Sequence, residues 1–68
     1  MKYYKVEKVE VTTINGKSYN LPVADYGCGY DMNDVKLITR GYKANNMDDG
    51  SIIFTRSNSK FAFIAEEA

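Results

Sequence analysis

Residues 51–65, Ser-Ile-Ile-Phe-Thr-Arg-Ser-Asn-Ser-Lys-Phe-Ala-Phe-Ile-Ala, decide the fold class. Two runs rich in Ile and Phe flank Ser57-Asn58-Ser59, and residues of these kinds favour a pleated, half-buried surface bounded by a polar turn. The pattern predicts strands over 51–56 and 60–65. With Ser57-Asn58 as the turn, Phe54 is expected opposite Phe61 and Ile52 opposite Phe63, an aromatic-aliphatic block on one face. Ile53 and Ile64 alternate to the other face, so burial on both sides is expected. This hairpin is the expected centre of the core.

Moving toward the N-terminus, residues 45–50 read as a polar turn. Residues 35–44 are read as a strand, because Val35, Ile38 and Thr39 are β-branched and lose rotamer freedom in a helix. The alternative is a short helix near 32–40. Asp31 or Asn33 would cap it, Gly41 would close it, and Met32, Val35 and Ile38 recur at helical spacing. Residues 24–34, with glycines on both sides of Cys28 and turn-forming Asp and Asn after them, read as the longest irregular stretch.

Asn15-Gly16 marks a hairpin turn between two further strands. In the first 14 residues, Tyr4 and Val6 share one parity while Val9, Val11 and Thr13 share the other, which predicts a bulge near Glu7-Lys8 or a bend. If Tyr19, Leu21 and Val23 face inward, the loop must contain three residues, pairing Thr13 with Lys17, Val11 with Tyr19 and Val9 with Leu21. The second strand is then expected over 17–23, and Pro22 must turn its missing N–H away from its ladder partner, as on an edge. The expected fold is mainly β: about five antiparallel strands in a meander, forming a small partly open barrel or bent sheet, with an α+β form as the alternative. No repeat, linker or low-complexity tract divides the chain, so a single domain over 1–68 is expected.

A chain of 68 residues hides only about 60% of the surface its unfolded form would expose, near the lower limit for a self-supporting core. With 44% hydrophobic and 13% aromatic residues it has the composition of a folded domain. Nine basic and nine acidic side chains give no net charge, which argues against a dedicated nucleic-acid module. The single cysteine, Cys28, excludes an intrachain disulfide and fits a reducing compartment. Charges interrupt every apolar run, so no membrane span is expected and a cytoplasmic location is.

Chemistry is sparse. The absence of histidine removes the Ser-His and Cys-His nucleophile pairs and the usual zinc ligand sets. Asp31-Met32-Asn33-Asp34 has the alternating oxygens that begin a calcium loop, but Val35, Lys36 and Tyr42 stand where a ligand, a glycine and a closing Glu are required. No catalytic residue, metal site or cofactor is therefore expected, and an enzymatic reading rests only on Cys28 and the grouped carboxylates. Tyr26, Cys28 and Tyr30, framed by Gly27 and Gly29, form a candidate loop contact. Six tyrosines interleave with basic residues, and Tyr3, Tyr4, Lys5, Arg40, Tyr42 and Lys43 form a candidate binding surface. Tyrosine offers large contact area at low entropic cost, so the expected function is a non-enzymatic protein-binding module, an accessory or inhibitory protein of the kind phages and other mobile elements carry. The rival is a single-stranded nucleic-acid binder that stacks bases on the same tyrosines, with Lys2 adding to the basic side chains. Tyr3 and Tyr4 point to opposite faces of the first strand, so burying both needs cover from two sides. That strand, if it lies at a sheet edge, also offers unpaired backbone groups; a homodimer or a strand-docked partner would answer both points.

Overall fold

A computed structural model describes residues 2–68. The elements are β1 (Tyr4–Ile14), β2 (Lys17–Tyr30), α1 (Met32–Ile38), β3 (Lys43–Asn46), β4 (Ile52–Thr55) and β5 (Phe61–Glu67). All five strands form one antiparallel sheet in the order β2-β1-β5-β4-β3, which is not closed. The chain is thus mainly β with one short helix. The last three strands are a meander; the N-terminal hairpin joins them through β1 beside β5 rather than continuing the series. Since β2 and β3 occupy opposite edges, the connection between them must cross the sheet, and α1 is that crossing.

Residues 32–38 are helical, so the strand expected over 35–44 is corrected. Asp31 caps the helix, its Oδ1 accepting a hydrogen bond from the Asp34 amide at 2.9 Å. Asp34 in the first turn and Lys36 in the last complement the helix dipole. A β-branched residue costs a helix at most roughly 0.7 kcal/mol. Burying one such side chain gains about 1.5–3 kcal/mol, and Val35 is fully buried against the sheet. Burial wins. Thr39 ends the helix, its amide and its hydroxyl both donating to the Val35 carbonyl at 2.9 and 2.8 Å, and Gly41 follows at φ +87°.

Val35 joins Tyr4, Val6, Ile52, Phe54, Phe63 and Ala65 in the core, with Tyr30, Met32, Ile38 and Tyr42 packed around them. The β4–β5 hairpin is at its centre, as expected, but its register differs. Phe54 pairs with Phe63 and Ile52 with Ala65, because the loop is wider than Ser57-Asn58. Ser59 donates to the Arg56 carbonyl at 3.3 Å, and Asn58 takes φ +63°. A shift of two residues leaves every side chain on its original face, so the aromatic block survives with new partners. Ile53 and Ile64 pair on the opposite face, half-buried.

The first hairpin corrects three expectations. Its loop has two residues: Ile14 pairs with Lys17, Thr12 with Tyr19 and Val11 with Asn20. Asn15 and Gly16 both have positive φ, +52° and +79°, a type I′ turn whose twist matches that of the strands. The three-residue loop presumed Tyr19, Leu21 and Val23 to be inward, and all three are about half exposed. Residues 24–30, expected to be irregular, continue β2, which has 14 residues against 11 in β1. Register shifts between Tyr4 and Val6, Val6 and Glu7, and Lys8 and Val9 absorb the excess. The irregularity expected near Glu7-Lys8 is there, but the extra residues belong to β2. Against β5, β1 keeps perfect period 2 from Tyr4 to Glu10. Val6 and Val9 therefore face opposite sides, and both are buried.

Hydrogen-bonded pairs alternate away from Ile14–Lys17, so Val9–Pro22 falls at a non-bonded position. The missing N–H of Pro22 thus faces the open edge that β2 forms, as expected. β1 itself is interior, so it offers no free edge for a second chain, and Tyr4 is buried within its own domain. The free edge expected of β1 is therefore absent, while Tyr3 beside it is 46% exposed.

Candidate functional site

Strand β1 pairs with β5 only as far as Glu10. One further bond, from the Val11 amide to the Lys60 carbonyl at 2.7 Å, closes this ladder. Beyond it β1 and β2 run on as a two-stranded arm, and the molecule measures 41 × 23 × 21 Å. The type I′ turn at the tip sets Ile14, Tyr19 and Leu21 on one face, since Ile14 pairs with Lys17, Thr12 with Tyr19 and Glu10 with Leu21. Ile14 is 55% exposed and Leu21 50%. Across residues 11–23 the only charged side chain is Lys17, in a chain where 26% of residues are charged. By the same pairing Thr12 and Lys17 share that face, so the projecting surface carries three large apolar side chains beside one charge, a composition close to that at the centre of protein interfaces.

The base of the arm is built differently. Glu10 and Lys60 form an ion pair at 3.1 Å. Lys8 stands over the Phe61 ring at 4.7 Å and the Phe63 ring at 5.7 Å, and Lys60 over Phe61 at 5.5 Å. These cations cover the rings where the core ends and the arm begins.

Of the six residues expected to form one binding surface, Tyr4 belongs to the core and Tyr42 stands edge-on to Phe63 with centroids 5.0 Å apart. Tyr3 and Lys5 are exposed near the start of β1, whereas Lys43 lies on the far edge strand β3. The set is divided between the middle of the sheet and one edge. Arg40 and Tyr42 do meet, in a groove of about 490 Å³ between α1 and the β3–β4 strands, where Lys36 joins them. Lys36 lies outside the candidate surface read from the sequence. The helix carries Lys36, and the turn that follows it carries Arg40, to the same groove.

The Tyr26–Tyr30 segment lies on β2 where the extra residues accumulate. Gly27 and Gly29 take φ +86° and +91°, conformations that an L side chain rarely adopts. The bends carry Tyr26 over the core, its ring 5.8 Å from that of Phe63, and the Tyr30 hydroxyl donates to the Tyr26 carbonyl at 2.6 Å. Cys28 is an exposed free thiol. Two of the three candidate loop residues thus serve packing in part.

Asp49 organises the β3–β4 turn. Its Oδ1 accepts from the Ser51 hydroxyl at 2.6 Å and the Ser51 amide at 2.9 Å, and these bonds, the hydroxyl's first, hold its carboxyl below the usual carboxylate value. A concavity beside this turn is lined by Asp49, Glu66 and Glu67. Among the described residues no group of His, Cys, Asp and Glu is placed to hold a metal, and no helix is long and apolar enough to cross a membrane. Comparison of the chain with protein-family models, curated proteins and solved structures finds no match.

Proposed function

We propose that this protein is a non-enzymatic binding module that acts by occupying a surface of another protein, as an accessory or inhibitory protein does, and that the β1–β2 arm makes the principal contact. The observation that carries the reading is the arm itself. It projects beyond the packed sheet with Ile14, Tyr19, Leu21 and Val23 exposed and a single charge, Lys17, along residues 11–23. An isolated two-stranded hairpin is at best marginally stable in water. A domain that extends one with its apolar side chains uncovered gains nothing in its own core from them. A partner that covers them supplies the missing burial, and large anchors such as Tyr19 and Leu21 are the kind that dominate interface energy. Pro22 opposes edge-to-edge strand addition along β2, so the contact is made by side chains of the arm's face.

The test is affinity capture from cell lysate, with and without nuclease, using the wild-type domain and Tyr19→Ser/Leu21→Ser. A discrete protein retained by the wild type after nuclease and lost by the variant is expected. Retention that disappears with nuclease would overturn the reading in favour of a nucleic-acid ligand. Equal retention by both proteins would remove the arm from it.

A further inference from the structure

The groove between α1 and the β3–β4 strands has a floor of Met32, Tyr42, Ile52 and Phe54, and two side chains of one sign, Lys36 and Arg40, from the helix and the turn after it. No acidic side chain lines it. On its open side the groove reaches Ala44 and Asn46 of β3, and β3 is an edge of the sheet. The Met47 amide bonds the Ser51 carbonyl at 2.8 Å. Counting back in twos, Asn45 and Lys43 also turn their main-chain groups toward β4. Ala44 and Asn46 therefore present theirs to the open edge.

From this the geometry points to a second interaction surface: β3 accepts an extended acidic segment of a partner protein as an added strand. The segment's main chain pairs with the Ala44 and Asn46 groups, one large apolar side chain fills the groove, and a carboxylate beside it meets Lys36 and Arg40. Strand addition of this kind draws affinity from the main chain and specificity from pockets for alternate side chains. The three requirements coincide here. An edge with outward N–H and C=O groups runs beside an apolar groove of about 490 Å³, and the cations stand along its helical side. Ala44 lines the groove with no side chain beyond Cβ, which leaves room on that face for a side chain of the added strand. Lys43 at the start of β3 adds a third positive charge, whereas Asp48 and Asp49 follow its end. The acidic residues of the segment thus belong at the Arg40 end, not at the Asp48 end. This surface is separate from the arm and stands or falls independently of it.

The probe is a displayed library of random 12-residue peptides selected on the folded wild-type domain. Enriched peptides are then titrated against wild type, Lys36→Glu/Arg40→Glu and Ala44→Pro. The charge reversals are at exposed positions, and Ala44→Pro removes an N–H that faces the open edge, so circular dichroism should show all three folded. Enrichment of peptides with two or more Asp or Glu and one large apolar residue is expected, with binding weakened at least tenfold by either variant and by added salt. Amide chemical-shift changes should centre on Lys43–Asn46 and α1. The proposal is overturned by a library that yields no enrichment, by peptides that bind Lys36→Glu/Arg40→Glu as well as wild type, or by shifts confined to the arm. Binding of decanoate at the groove without any peptide enrichment would also overturn it and assign the groove to a small amphiphile.

Discussion

Strand β1 passes through two environments, and residues of the same kind fare differently in each. In its first half Val6 and Val9 are buried, with 0% and 2% exposure; in its second half Val11 and Ile14 are 38% and 55% exposed. All four are β-branched and apolar, and the strand is continuous. What differs is cover. The first half has β2 on one side, β5 on the other, and α1 with its neighbours across one face. The second half, beyond the Val11–Lys60 hydrogen bond, has β2 alone. Side-chain type makes burial favourable, but neighbouring elements decide whether it happens. The arm is a surface that is apolar without being core.

The difference can be broken or sharpened by substitution. Phe54→Ala, in the packed region, should have the largest effect. It removes a ring from the centre of the core and should destabilise the domain by about 3–5 kcal/mol. A domain this small has a core worth little more than about 3–5 kcal/mol, so urea titration should find the variant largely unfolded. A loss below about 1 kcal/mol would mean that the core lies elsewhere. Asp31→Ala takes away the cap of the helix that covers the sheet and should cost about 1 kcal/mol, read as a lower urea midpoint with an unchanged slope. In the arm, Tyr19→Ser/Leu21→Ser should change stability by no more than about 0.5 kcal/mol per site. An equally exposed pair that cost as much as Phe54 would erase the distinction between the regions.

The smallest effect concerns protonation. The Asp49 carboxyl titrates below its usual value because it accepts two hydrogen bonds from Ser51. Its contribution to stability is therefore complete above the unfolded-state value and is lost as pH falls through the lower folded value. In Ser51→Ala the hydroxyl bond is gone, so carboxyl chemical shifts followed through an acid titration should place the Asp49 midpoint higher than in the wild type. An unchanged midpoint would show that the hydroxyl does not hold the charge.

Much of the packed region is legible in the sequence; of the arm, the turn at Asn15-Gly16 and the edge at Pro22 are legible, and the exposure of its apolar side chains is not. The Ile-Phe runs at 52–54 and 61–64 announce a hairpin, and even an error of two residues in its register keeps Phe54 and Phe63 on the core face. Pro22 announces an edge. The helix was foreseen as the alternative, through Asp31 and the Met32, Val35, Ile38 spacing, but β-branching at Val35 and Ile38 argued locally for a strand, and only tertiary burial reverses it. Tyr19, Leu21 and Val23 mislead because period 2 identifies a common face without saying what lies against it. Taking that face as inward forced the wrong loop at Asn15-Gly16. The Tyr26–Tyr30 glycines suggest a loop because bulges and turns use the same positive φ. Of the candidate surface, tyrosine identity could not distinguish Tyr4 in the core from Tyr3 outside it. Arg40 and Tyr42 come together only once the helix places Lys36 beside them.

Amide hydrogen exchange on the isolated domain, followed residue by residue by NMR, tests the two-region account most directly. Opening free energies range from near zero in weakly covered segments to the global value in the core. Amides of the Thr12–Tyr19 tip should exchange fast, while those of Phe54, Phe63 and Val6 should exchange only with global unfolding. Equal protection of arm and core would contradict the account, because it would mean that the arm's apolar face is already covered in the free protein.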